Sequence, residues 1–269
     1  GNNVDVDKGE RVFLPGNYGF YLTFFTDVWQ ARGGLFQAAT HPWPEHIHYQ
    51  MVNGNDPDIS TAWLKAINAK YAVITEPGSQ ELYNEIKNPE RFEGLDPVYE
   101  EKHDVIYKVP LKRPSPAKPV NEGVMNTLIV PEKADSKEEL LSYVDWVENS
   151  SDRELLFNME DHDRYKIAGE IGEGEVILVQ MTYDDGWRAV NNGKRVEKDE
   201  DPLGFLVLKP DPPAGGGKVD ITLSHGPTWR QWLGYLITAV TIGFAAWYIL
   251  VGQAIGRKAD ILRVVTSKT

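Results

Sequence analysis

The chain has 269 residues, is 41% hydrophobic and 11% aromatic, and carries a formal charge of −12. That apolar content is ample for one or two folded cores, and so acidic a surface argues against nucleic acid or anionic lipid headgroups as partners. There are no cysteines, which excludes disulfides, thiolate metal sites and cysteine nucleophiles.

The first section, residues 1–110, reads as a small mixed α/β unit. Arg11-Val-Phe-Leu14 is a short strand ending at Pro15-Gly16, and the stretch from Tyr18 to Trp29 is unusually aromatic. Asp56-Pro57-Asp58 marks a helix start, followed by a helical stripe of Ile59, Ala62, Trp63, Leu64 and Ile67. Tyr71-Ala-Val-Ile-Thr75 has the pattern of a buried strand, and Ser79 can cap a second helix carrying Leu82, Tyr83 and Ile86. Val98-Tyr99 and Val105 to Val109 predict two further strands that turn at Lys102-His103-Asp104. Such a strand–helix–strand succession favours a layered unit.

Residues 111–135 open with LKRPSPAKPVNE, whose prolines and basic residues predict a linker or an exposed crossing. Residues 136–228 then read as one helix plus a β-sandwich. Ser136-Lys-Glu-Glu139 is a capping box before Leu140, Leu141, Val144 and Val147. Short strand-like runs follow at 154–157, 165–168, 176–183, 187–190, 205–209 and 219–224. Asn192-Gly193 is a strong hairpin signal, Pro212 to Gly217 is a sharp connection, and Glu197 to Asp201 reads as a solvated acidic loop. Asn149-Ser150-Ser151 matches a glycosylation acceptor, a triplet too common to carry weight. The fold class expected is α+β.

Residues 229–255 predict a transmembrane helix. No charge occurs from Gln231 to Gly256, and a bilayer crossing needs about 20 mostly apolar residues. Trp229, Trp232 and Tyr235 at one edge and Trp247 and Tyr248 near the other match an aromatic belt. Gly234, Ala239, Gly243, Ala245 and Ala246 suit close packing against other membrane helices. The tail, 256–269, holds Arg257, Lys258, Arg263 and Lys268 against Asp260, so the positive-inside rule places it in the cytoplasm and residues 1–230 outside it. Delivery of that region then requires either a signal peptide that has been removed or membrane helices upstream.

The run Val176-Ile-Leu-Val-Gln-Met-Thr-Tyr-Asp-Asp-Gly-Trp-Arg-Ala189, the Asn192-Gly193-Lys194 hairpin, Gly204-Phe-Leu-Val-Leu, Pro213-Ala-Gly-Gly-Gly, a strand and then a membrane helix form a recognisable series. It resembles the C-terminal region of the YfhO-like family of polytopic bacterial membrane proteins, which are similar to GT-C type glycosyltransferases using lipid-phosphate-linked sugars. The stretch Trp63 to Ile74, with Pro97-Val-Tyr-Glu-Glu and Val105-Ile-Tyr-Lys-Val, is similar too, so the resemblance covers most of residues 55–255. It implies a non-catalytic extracytoplasmic region that covers a membrane active site, with upstream membrane helices and a lipid-linked sugar or glycan as partners. The acidic catalytic residue of such enzymes belongs to an early outer loop, and no position here inherits it.

Within this chain the densest constellation runs from Phe25 to His48. Three of the six histidines, His41, His46 and His48, fall within eight residues. If His46-Ile47-His48 is a strand, both imidazoles share one face, and Glu45 and His41 could complete a divalent-metal set. The bland alternative is a proline-rich polar loop with surface histidines. The resemblance favours a third reading: a loop holding Asp27, Arg32, Gly33, Gly34 and Trp43 lies over the membrane active site. Arg32 would pair with phosphate and Trp43 would stack on a sugar. Asp184-Asp185-Gly186-Trp187 and Asp161-His162-Asp163 read as tight turns, the first lacking the spacing of a calcium loop. No cofactor motif is evident. Two further classes stay open, a singly anchored glycan-binding module and a metal-dependent enzyme centred on the histidines.

Overall fold

A computed structural model describes residues 4–32, 41, 43–83, 86–211 and 216–266. The chain divides into two compact units, Gly1–His225 and Gly226–Thr269.

The first unit holds two sheets. Strands β1 (Arg11–Phe13), β2 (Trp29–Gln30), β3 (Ala69–Thr75), β4 (Asp96–Glu101) and β5 (Asp104–Lys108) form a mixed sheet in the order β2-β1-β3-β5-β4. β1 is parallel to both β2 and β3, whereas β3–β5 and β5–β4 are antiparallel. Lys102 and His103 both take positive φ (51° and 65°), the geometry of a tight hairpin turn, as expected between these last two strands. Helices α1 (Tyr18–Phe25), α2 (Trp43–Asn53) and α3 (Pro57–Ala66) connect the early strands.

Helix α3 starts where Asp56 predicts. The Asp56 carboxylate accepts from Asp58 N (2.8 Å) and Ile59 N (3.3 Å), and Pro57 occupies the first turn. Asp56→Ala removes this cap, and we expect urea unfolding to show a loss of about 1 kcal/mol. An unchanged midpoint would mean that packing of Trp63, which is fully buried, sets the helix start by itself.

The helix expected after Ser79 is absent among the described residues. Side chains there satisfy the backbone locally. Ser79 Oγ accepts from Glu81 N (3.0 Å), and the Glu81 carboxylate accepts from Tyr83 N (3.1 Å). Such local bonds compete with helix formation. Leu82 and Tyr83, expected on that helix, are exposed, and Ile86 is buried.

The second sheet contains β6 (Ala117–Asn121), β7 (Leu156–Asp161), β8 (Arg164–Ile171), β9 (Glu175–Thr182), β10 (Trp187–Asn191), β11 (Lys194–Glu200), β12 (Phe205–Lys209) and β13 (Gly217–His225). All pairings are antiparallel, in the order β6-β9-β12-β11-β10-β13-β8-β7. The strands expected to make a two-sheet sandwich are thus hydrogen-bonded in one series. The series curls around a single core, because Ala117, Ile177, Leu206, Ala189, Ile221 and Ile167 from six of its strands share one cluster. The Asn192-Gly193 hairpin is present, with φ of 48° and 81°.

Helices α4 (Glu122–Met125) and α5 (Lys137–Asn149) complete the unit. β9 explains how the two sections join. Val176 and Leu178 face a core that also contains Phe13, Trp63, Ile74, Leu140 and Val147, while Ile177 and Val179 face the inside of the curled sheet. Trp63 Nε1 donates to Ala134 O (2.7 Å), and buried Gln180 Nε2 donates to Ala66 O (2.7 Å). One hydrophobic core therefore spans both sections.

The stretch 111–122, expected to be a linker or an exposed crossing, carries β6 instead. Pro119 is tolerated because β6 is an edge strand and pairs on one side only. Arg113 is buried here, and its guanidinium donates to Val147 O at the end of α5 and to Pro119 O (3.1 Å). Arg91 does the same for α2, donating to Met51 O and Gly54 O. In both cases a cation satisfies orphan carbonyls at a helix C-terminus.

Of the acidic run Glu197 to Asp201, expected as a solvated loop, residues up to Glu200 are in β11. Cross-strand charge holds it: Lys209 on β12 pairs with Asp199 (2.9 Å) and with Glu122 (3.0 Å). Asp201 is buried.

The second unit is one helix, α6 (Trp229–Thr266). Its segment Trp229–Val251, 23 residues, is long and apolar enough to cross a membrane. At 1.5 Å per residue it reaches about 35 Å.

Candidate functional site

Helix α1 is the crossover between the parallel strands β1 and β2, and it carries the aromatic residues noted in the sequence. Two groups fasten its start. Tyr18 Oη donates to Asp104 Oδ2 (2.5 Å), while Ser79 Oγ donates to the other oxygen of the same carboxylate (2.5 Å). Burial first, and then the Asp104 charge, push the Tyr18 hydroxyl up to about 12, so it remains a proton donor at neutral pH. Gln30 Nε2 on β2 donates to Gly19 O (2.6 Å), tying the helix back to the sheet.

Beneath α1 lies a cavity of about 670 Å³, lined by Leu22 of the helix, Val12, Tyr71, Val73 and Ile106 of the sheet, and Val6 of the N-terminal segment. The volume falls within the range of small-molecule sites, and the lining is dominated by aliphatic side chains. It exists because β3 is apolar on both faces: Ala72 and Ile74 enter the main core, while Tyr71 and Val73 face the cavity. The alternation Tyr71-Ala-Val-Ile was legible as a buried strand, but a sequence does not say what covers its second face.

The residues singled out between 25 and 48 separate into structural roles. Asp27 pairs with Lys8 (2.7 Å), which is the main cause holding its carboxyl below the usual range. Arg32 Nε lies 3.2 Å from Glu45 Oε2, so two residues assigned to different sites form one ion pair. Gly33 and Gly34 lie outside the described residues. Trp43 packs against Trp63 (ring centroids 5.1 Å) and meets His46 edge-on (5.8 Å). His41 sits against Gly204, where any side chain would collide with the imidazole. Burial lowers its pKa, opposed by the Glu200 charge.

The premise of a His46-Ile47-His48 strand is corrected. These residues are in α2, whose buried face is Ile47, His48, Gln50 and Met51. Positions two apart on a helix point roughly 200° from each other. His46 accordingly faces out, while His48 is buried near Phe13 (ring centroids 6.1 Å). Among the described residues, no group of three His, Asp or Glu side chains converges as a metal set. Of these residues, Arg32 and Glu45 form an ion pair, and Trp43 is packed on Trp63 and His46.

The two acidic turns behave as expected. Asp184 Oδ1 accepts from Gly186 N (2.6 Å) and contacts His225 Nε2 (2.9 Å), and Trp187 packs edge-on against His225 (4.8 Å). Asp161-His162-Asp163 turns β7 into β8.

No family model, curated protein or solved structure matches the chain. The chemistry of the residues themselves therefore carries the functional reading.

Proposed function

We propose that this chain is the extracytoplasmic region and following membrane helix of a GT-C-like membrane glycosyltransferase. Its part is non-catalytic: it covers the membrane active site and helps to bind a sugar carried on a lipid phosphate. The observation that carries the reading is α6. Leu236, Ile237, Val240, Ile242, Phe244 and Leu250 are all exposed on a helix that is uncharged from Gln231 to Gly256. Water would not tolerate so long an apolar surface, whereas a bilayer matches both its length and its aromatic edges. The basic tail supports a cytoplasmic C-terminus, with residues 1–230 on the other side. The apolar cavity under α1 supports a ligand with a hydrocarbon portion, and Arg32 supports a phosphate.

Two measurements test this. Alkaline carbonate should leave residues 1–269, produced without any upstream membrane helices, in the membrane pellet, and the double variant Ile242→Asp/Phe244→Asp should release them; retention of that variant would show that α6 is not the anchor. In the full-length protein, supplied with lipid-linked sugar, Arg32→Ala should lower transfer about tenfold, the 1.4 kcal/mol of one charge-assisted hydrogen bond. The melting temperature should fall by only a few degrees, because the Arg32–Glu45 pair is half-buried and exposed pairs contribute roughly 0–1 kcal/mol. Unaltered transfer would remove Arg32 from the site.

A further inference from the structure

Helix α1 reads Tyr18-Gly-Phe-Tyr-Leu-Thr-Phe-Phe25 and has no charged residue. Its inner side is held by Tyr18 and Leu22. Its outer side presents Phe20, Tyr21, Phe24 and Phe25, the last two each 81% exposed. Spacings of i, i+1, i+4 and i+5 place the four on one stripe. Four exposed aromatics on two helical turns form a patch of the kind that marks an interaction surface.

The position of the stripe points to its occupant. Helix α1 runs into Asp27, whose carbonyl accepts from Gly9 N (3.3 Å), and Gly9 lies against Met159 on β7. Trp29, next along the chain, packs on Phe157 and Tyr165 (both 5.7 Å). These residues flank the Asp161–Asp163 turn, where Asp163 O accepts from His225 N (2.9 Å). The end of α1 and the point where the chain leaves this unit therefore share one end of it. Only Gly226, Pro227 and Thr228 separate His225 from Trp229, the first residue of the span. Three extended residues reach about 10 Å.

We propose that α1 is an interfacial helix that seats Phe24 and Phe25 in the outer surface of the bilayer crossed by α6. This rests on reading Trp229–Val251 as a membrane span. The contact is apolar and aromatic, not electrostatic: α1 offers no basic residue, and the chain is acidic. Aromatic side chains favour the boundary between headgroups and acyl chains. Zwitterionic lipid therefore suffices.

The absence of cysteine makes the test direct. Nitroxide labels are placed on single variants Phe24→Cys, Phe25→Cys, Ile242→Cys and Lys194→Cys of the whole chain, reconstituted in phosphatidylcholine vesicles. Lys194 lies at the far end of the β10–β11 hairpin from Trp187, which pairs with His225. Collision rates are then measured with oxygen, which enters lipid, and with a water-soluble paramagnetic chelate, which does not. Labels at 24 and 25 should meet oxygen freely and collide with the chelate at least fivefold less than the label at 194. Chelate collisions equal to those at 194 overturn the proposal, as does protection from both reagents, which would mean that protein covers the stripe. The label at 242 separates the two readings. If it too meets the chelate, α6 does not span the bilayer and both fall; if it is lipid-exposed while 24 and 25 are not, only the interfacial helix falls.

Discussion

Glu148→Ala should destabilise the first unit by about 3–5 kcal/mol, the cost of leaving a buried charge without its partner. The charge is that of Lys118, fully buried on edge strand β6, with its ammonium 2.9 Å from Glu148 Oε1. The other carboxylate oxygen accepts from Lys112 N (2.6 Å). Burial outweighs the pairing at Lys118 and lowers its pKa to about 8, with Glu148 opposing the shift. The pair is thus a contact whose loss is expensive although its presence contributes little. The double variant Lys118→Met/Glu148→Met removes both charges and should recover most of the loss. Chemical denaturation of the three proteins checks this. A double variant as unstable as the single one would show that the ion pair stabilises the fold in its own right.

Asp201→Asn should flatten part of the pH dependence of stability. Asp201 is buried on the β11–β12 turn. Its carboxylate accepts from Tyr143 Oη (2.5 Å), Leu203 N (2.9 Å) and Phe205 N (2.8 Å). Burial raises its pKa from 3.8 to about 6 in spite of these bonds. The folded state therefore holds this proton more tightly than the unfolded chain does. The resulting stabilisation is full below pH 3.8 and is lost as pH rises through 6. At about 1.4 kcal/mol per unit, the loss amounts to roughly 3 kcal/mol. Unfolding free energies of the native protein and of Asp201→Asn, measured from pH 4 to pH 7, should diverge by most of that amount, about 2.4 kcal/mol. Taking the difference between the two proteins cancels the opposite trend of carboxylates such as Asp56, whose pKa is lowered chiefly by Lys137. Parallel curves would place the Asp201 pKa near its ordinary value.

Both predictions concern charges whose burial is not visible from composition. Lys118 stands in a proline-rich, basic stretch, and Asp201 ends an acidic run, so each carries the local signature of a solvated segment. Tertiary packing decides otherwise, because α5 lies over β6 and supplies both Glu148 and Tyr143. The histidines make the same point. His46 and His48 suit a metal-binding strand by spacing, but the apolar positions Ile47 and Met51 fit a helix, and the helix sends the two imidazoles apart.

Elements whose signals are local and mutually consistent were legible. The Asp56 cap before a helical stripe, the Asn192-Gly193 turn and the alternating strand β13 needed no distant partner to be recognised. Where signals were local but contradicted by local side-chain bonding, as after Ser79, the helical pattern misled.

The sequence by itself determined that one helix is long and apolar enough to cross a membrane, that these 269 residues carry no thiol, and where the strongest caps and hairpins lie, because these depend on composition or on residues a few positions apart. Only the tertiary structure decided that the two sections share one core, that eight strands form one curled series, that Arg32 meets Glu45, and that the aromatic stripe of α1 lies at the end from which the chain departs toward α6. Each of those depends on pairings across 13 to more than 100 residues, and hydrophobic periodicity records that a face is buried without recording what buries it.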